Sequence, residues 1–385
     1  MKVIITILLL CLNAVCSYSK TSLWKISDGE NTLYLGGTVH ILRESDYPLP
    51  EAFNEVFEKS NIIVFESSNT PDKFIGDENF LRFVEECNLF NALYNNNEKM
   101  KLFISLTTEL EILRQKYEKV YEVFSDLAKF EQLANEEIEI FAQMYNILQE
   151  IQALSDDEEI KNLLKIAVSM LPSIEANKEF FNAYANPDLK SLEVVLNDDT
   201  FSLLNLLCDK YGVSLSEIVF YKPYFAKTFL LYQILGKFCK ADGVDNFFMK
   251  KAAEIGKKIE CMETDEILFL VADSGNKYGD SYYSFLFSGM DDEELLKGGF
   301  EEMVDLWKNG INDGSFELSF KYEMENFPSV YEAVIKNRNN AWMPIIENYL
   351  KTTSGVFVLV GNGHMYGSDG LLTQLSEKGY IIEQQ

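Results

Sequence analysis

His40 and His364 are the only histidines in the 385-residue chain, and each ends a Gly-x-x-His tetrad that closes an apolar run. Gly37, Thr38, Val39 and His40 make the first tetrad; Gly361, Asn362, Gly363 and His364 make the second. Glycine fills about 7% of positions in average proteins, so chance would place one three residues before both histidines in roughly one chain in 200. The repetition therefore calls for a common cause. Imidazole is the commonest metal ligand and titrates near neutrality, so two of them at strand ends point to a metal site or to acid–base chemistry. Their distance along the chain means that such a site forms only when its two ends fold together.

Three acids and one base accompany the pair. Glu66 ends a nearly unbroken apolar run, Glu263 ends another, Asp245 follows Gly243 at a helix start, and Arg338 lies among Asn337, Asn339 and Asn340. Two imidazoles with one or two carboxylates suit a divalent first-row ion that keeps open positions for water. Such an ion acidifies bound water and polarises a carbonyl, which is hydrolytic chemistry. Each group also has a plainer reading: Glu263 beside a helix cap at Thr264, Asp245 at the positive end of its helix, Arg338 paired with a surface acid. No Ser or Cys nucleophile sits in a supporting motif. Gly361, Gly363 and Gly367 lack the spacing of a phosphate loop or a dinucleotide fingerprint.

The elements that must position these groups are legible as hydrophobic patterns. Residues 22–27 and 32–38 read as strands joined by Asp28, Gly29, Glu30 and Asn31, a hairpin turn. Residues 51–59 carry Phe53, Val56 and Phe57 on one helical face, and 61–66 reads as a buried strand. A helical block spans 71–220, with helices expected within 102–148, 158–170 and 191–211. Strand and helix signals then alternate: helix 244–256, strand 258–263, helix 265–272, mixed helix 282–307, helix 330–350 kinked at Pro344, strand 355–360, helix 370–378 and strand 380–383. The pattern predicts an α/β fold, α+β in character, with a mixed central sheet flanked by helices and a large all-helical insertion. It is one domain over 19–385, in which the 71–220 insertion serves as a lid or substrate-recognition subdomain.

Composition narrows the function classes. With 61 acids against 34 bases and a formal charge of −27, the chain is a poor nucleic-acid binder. At 47% hydrophobic it can bury a large core. Residues 1–18 read as a signal peptide: Lys2, an apolar stretch, then small residues from Ala14 to Ser17. That stretch is too short for a membrane span, and no other run approaches the length, so no integral span is expected once it is removed. The expected location is outside the cytosol: periplasmic, secreted or bound to the cell envelope. Cys87, Cys208, Cys239 and Cys261 lack paired short spacing, which argues against a zinc ribbon and leaves disulfides and plain thiols both open.

Taken together, these residues resemble the TraB/PrgY/GumN family, which includes the Tiki-type metalloproteases and is similar in fold to the erythromycin esterase and ChaN-like group. The resemblance runs through Leu23, Trp24 and Lys25, the first tetrad, Pro48 to Pro50, Phe65 and Glu66, and Gly243 to Asp245. It continues through Met262 to Thr264, Arg338, Asn339 and Trp342, and the second tetrad with the glycines beyond it. It implies that His40, Glu66 and His364 are metal ligands or acid–base residues. It also implies that Arg338 stabilises negative charge, and it matches Glu263 and Asp245 to family positions of less defined role. The implied activity is that of a Tiki-like peptidase that uses water activated by manganese, cobalt or zinc and acts on a peptide or protein substrate. A binding protein without turnover, and a metal- or haem-handling protein of ChaN-like fold, are the rival readings.

Overall fold

The Asp28 carboxylate accepts from the backbone N–H groups of Glu30 and Asn31 at 2.9 and 2.7 Å, and Gly29 supplies the positive φ that closes the turn. It joins β1 (Leu23–Ser27) to β2 (Thr32–Thr38) as an antiparallel pair, as the pattern predicts. In the computed structural model the described residues are 20–67, 98–117, 135–158, 190–219, 221–264, 266–311 and 320–385, with a few single positions between them. The signal-like segment, Cys87 and most of the helix expected at 158–170 lie outside them. The chain divides into two compact units, Met1–Ile75 with Ala183–Gln385, and Gly76–Asn182. In the second unit, helices α2 (Glu98–Lys116) and α3 (Asn135–Ser155) pack around Val120, Val123 and Met144.

The first unit is built on a mixed six-stranded sheet. Besides β1 and β2 it holds β4 (Ile62–Phe65), β6 (Lys258–Cys261), β7 (Val356–Gly361) and β8 (Ile381–Gln384), in the order β6-β4-β7-β2-β1-β8. A separate short pair joins β3 (Ile41–Leu42) to β5 (Ala241–Asp242). Strands β2, β7, β4 and β6 run parallel to one another. The central strand β7 is apolar on both faces, as a strand covered on both sides must be. Val356, Val358 and Val360 meet Trp342, Met343, Ile346 and Leu350 of helix α10 (Asn337–Thr352). Phe357 and Leu359 meet Phe53 and Phe57 of α1 (Glu51–Lys59), Phe248 of α6 (Val244–Glu254) and Trp307 of α9 (Glu293–Lys308).

Parallel pairing fixes where the chemistry goes. Thr38 lies opposite Gly361, Phe65 opposite both Leu359 and Cys261, so four adjacent strands end along one edge. Just past those ends come His40, His364, Glu66 and Glu263, at the carboxyl edge where α/β sheets gather functional groups. The expected 330–350 helix is interrupted: Pro328–Tyr331 and a π turn at Glu332–Lys336 precede α10, which continues through Pro344. A departure from α geometry thus falls just before Arg338, and α10 carries Pro344 in its interior.

The loop after the first tetrad is anchored electrostatically. Asp46, whose carboxylate is 1% exposed, accepts from Arg43 Nε and Nη2 and from Lys308 Nζ of α9 at 2.9–3.0 Å. Burial pushes its pKa up, but those donors outweigh burial and hold it down, from 3.8 to about 2. A depressed folded pKa contributes stability above the unfolded value and loses it as the pH falls through the folded one. Denaturant titrations are therefore expected to show wild type losing about 2 kcal/mol more than Asp46→Asn between pH 5 and pH 2. Equal losses would show that the cluster is not coupled to folding.

Candidate functional site

Each histidine enters the pocket with one ring nitrogen already committed. Asp245, in the first turn of α6, takes His40 Nδ1 at 2.8 Å with one oxygen and the Thr38 hydroxyl at 2.7 Å with the other. The β3–β5 pairing, together with the bond from Val244 N–H to the Val39 carbonyl at 2.9 Å, brings that carboxylate to its histidine. His364 Nδ1 faces Asn339 Oδ1 at 2.7 Å, while the Asn339 amide nitrogen donates to the carbonyls of His364 and Asp369 at 3.1 and 2.8 Å. Because that nitrogen is spent on two carbonyls, Oδ1 is the acceptor and His364 carries its proton on Nδ1. Both rings therefore turn Nε2 inward.

Gly361 marks the point of convergence. A Cβ placed there would lie 3.3 Å from Glu66 Oε1, 3.7 Å from His364 Cδ2 and 3.7 Å from His40 Nε2. Glu66 reaches this position by accepting from the Gly361 N–H at 2.5 Å. The other tetrad glycines are steric requirements as well: a Cβ at Gly37 would overlap the Asn362 amide, and one at Gly363 would overlap the Phe320 ring. Gly37→Ala is accordingly expected to cost about 1–3 kcal/mol in unfolding free energy, read from denaturation midpoints. Asn362→Ala in the same background should return part of that loss, and no return would point to a different clash.

Arg338 ties the site together. Its Nε and Nη2 grip Glu263 at 3.0 and 2.6 Å, and Nη2 also reaches Glu66 Oε2 at 2.6 Å. Nη1 donates to the Val334 carbonyl in the π turn at 3.3 Å and to His364 Nε2 at 3.0 Å. All five guanidinium protons have acceptors. The guanidinium also lies over the Trp342 ring at 4.7 Å, and the Trp342 indole N–H donates to Glu263 at 3.1 Å.

Protonation states are set by this arrangement. Burial opposes charge on Glu66, yet the Arg338 and His40 charges and the Gly361 N–H hold its pKa at about 2. Burial and the Arg338 charge drive His364 down to about 3, so it is neutral. For His40 desolvation also works against charge, but its ring is 46% exposed, and Asp245, with Glu66 behind it, raises it to about 9. Burial pushes Glu263 upward, with Arg338 pulling the other way.

In type, these donors fit a divalent ion: an anionic carboxylate, a neutral imidazole, and two rings whose Nδ1 atoms are anchored as in ligating histidines. In position, His40 Nε2 and Glu66 Oε1 are the accessible pair, because Arg338 occupies His364 Nε2, and His40, raised to about 9, must give up its Nε2 proton before it can ligate. Among the described residues, no group of three or more His, Cys, Asp or Glu is gathered closely enough to hold an ion.

All six residues singled out from the sequence, His40, Glu66, Asp245, Glu263, Arg338 and His364, fall in this one constellation. Asn339 was visible in a polar patch and in the family resemblance, and Thr38 within the first tetrad, but neither was given a role, yet both orient the imidazole system. Cys208 and Cys239 are buried thiols and Cys261 an exposed one.

A model of the TraB/PrgY/gumN family matches residues 22–105 and 166–384. No curated protein and no solved structure matches the chain.

Proposed function

Since this chain belongs to the TraB/PrgY/gumN family, we propose that it is an exported, metal-dependent hydrolase of the peptidase type. The observation that carries this reading is the convergence of His40 Nε2, Glu66 Oε1 and His364 on one point beside Gly361. His40 and Glu66 would hold the ion, with His364 joining them once its Nε2 is released by Arg338. A divalent ion there supplies Lewis acidity, lowering the pKa of water and polarising a carbonyl. Asp245 keeps the His40 ring aimed inward, Asn339 keeps His364 in its Nδ1–H form, and Arg338 holds Glu66 ionised. Once it releases His364 Nε2, the guanidinium has one N–H besides the field of its charge to stabilise a developing anion. The signal-like first 18 residues support export. Among the described residues, no helix is long and apolar enough to cross a membrane.

One observation favours a second reading. With Arg338 seated on His364 Nε2, the His40–Asp245 pair alone is free to move a proton, and hydrolysis would then proceed by acid–base chemistry without an ion. Elemental analysis of purified wild type, His40→Ala and His364→Ala, beside a peptide-library cleavage assay with manganese, cobalt or zinc, separates the two. Stoichiometric metal lost in both variants, with cleavage that depends on the ion, supports the first. Cleavage unaffected by chelation supports the second. No cleavage under any condition removes both.

A further inference from the structure

Arg338 is held from two sides that differ in kind. On one side Glu263 takes Nε and Nη2 at 3.0 and 2.6 Å, the Trp342 ring lies against the guanidinium at 4.7 Å, and the indole N–H fixes the same carboxylate at 3.1 Å. A bidentate acid and an aromatic face together make a seat shaped for a planar cation. On the other side Nη1 meets His364 Nε2 at 3.0 Å and Nη2 meets Glu66 Oε2 at 2.6 Å. These are single bonds. Trp342 also packs on the His364 ring, with centroids 4.5 Å apart, so the seat and the imidazole share a wall.

The singly bonded side is the one a divalent ion would need. His364 Nε2 lies 3.9 Å from Glu66 Oε1. Ligand bonds of about 2.0–2.2 Å to nitrogen and oxygen let one ion close such a span. With its proton on Nδ1, where Asn339 Oδ1 accepts it, the His364 ring has a single lone pair on Nε2. That pair serves Arg338 or an ion, never both. Glu66 faces no such choice, because Oε2 holds the arginine while Oε1 lies toward the imidazole. Of the guanidinium's contacts, the bond from Nη1 to Nε2 is therefore the one that stands in an ion's way.

We propose that Arg338 is an internal competitor for the ion, holding its place on His364, and that Glu263 with Trp342 is the seat that retains the arginine once an ion has taken that lone pair. Loading then exchanges one hydrogen bond for one ligand bond, and the arginine stays beside the ion. Glu263 is a positioning residue, acting on the ion through Arg338. Without the seat, the guanidinium would rest wholly on Glu66 and His364 and hold the ion off. The inference rests on the metal-dependent reading of the site and goes beyond it by naming what the ion must displace and what holds the displaced group.

The test titrates the full chain with zinc chloride, read by calorimetry and by nitrogen NMR of labelled histidine, of which the chain has two. In wild type, zinc should move the Nε2 resonances of both rings and leave His364 Nδ1 protonated. Arg338→Met should bind zinc about tenfold or more tightly than wild type, and Glu263→Gln about tenfold or more weakly. Added to Arg338→Met, Glu263→Gln should change affinity by less than about threefold, since the seat then has nothing to hold. A Glu263 that acted on the ion by its own charge would weaken both backgrounds alike, and that result overturns the proposal. So does an Arg338→Met variant that keeps dispersed histidine resonances without gaining affinity. Zinc that moves the His40 resonance and not His364 Nε2 also overturns it, leaves the hydrolase reading standing, and needs no variant to fold. The expected affinities with no cleavage of any peptide would instead remove the hydrolase reading and leave the exchange in place. Zinc bound by none of the proteins removes both.

Discussion

Replacing Arg338 with methionine is expected to lower the unfolding free energy by about 3–5 kcal/mol, the range found when one partner of a buried ion pair is removed. The size of the loss reflects the charges left behind. Glu263 and Glu66, 5% and 15% exposed at their side chains, would lose the cation that bridges them and would stay as stranded buried charges or take up protons, either at a cost. Arg338→Lys should recover little, because an ammonium cannot satisfy two carboxylates, a carbonyl and an imidazole in the planar fork that serves them here. Adding Glu263→Gln to Arg338→Met should return a measurable part of the loss by removing one stranded charge. Urea titrations of the three variants check this, and a loss under about 1 kcal/mol for Arg338→Met would mean that the cluster does not hold the fold.

Replacing His40 with alanine should do the opposite: little harm to stability and a large loss of activity. Its ring is nearly half exposed, and among the described residues its hydrogen-bond partner is Asp245. On the proposed hydrolase reading, kcat on any peptide the enzyme cleaves should fall by about 10²–10⁴-fold, the usual share of a residue that transfers protons. Asp245→Asn should cost less, about 10–100-fold, since it disturbs only the orientation of the imidazole. His364→Ala makes the informative contrast, because that ring is buried and bonded to Asn339 and should cost stability as well as rate. Retention of wild-type kcat within about threefold by His40→Ala would exclude His40 from the chemistry.

The positions of the site residues were legible because parallel strands have abrupt ends. An apolar run that stops on Glu66 or Glu263, or that passes into Gly-x-x-His, marks the carboxyl edge of a sheet before any pairing is known. The hairpin, α1 and β7 were equally open to reading, since each depends on local periodicity and turn chemistry. What the residues did not disclose was how the polar groups share their hydrogen bonds. That Arg338 has all five protons engaged depends on Glu66, Glu263 and His364 meeting from three strands, and on a π turn exposing the Val334 carbonyl. Neither fact has a local signature, because a π turn is one residue slipped within an otherwise helical pattern. The plain readings of Asp245 as a helix-end charge and of Glu263 as part of a cap were each half of the story: the sequence positions suit those roles, but the carboxylates face His40 and Arg338.

The side-by-side pairing of β2 with β7, and the bond from Gly361 to Glu66 across 295 positions, have a temporal consequence. A nascent polypeptide possesses His40 and Glu66 long before the strand that leads to the second imidazole leaves the ribosome, 295 positions after Glu66. Contacts of such long range also close late in folding. The pocket is thus withheld until β7 has been made and paired, and a chain that crosses a membrane unfolded would assemble it only on the far side.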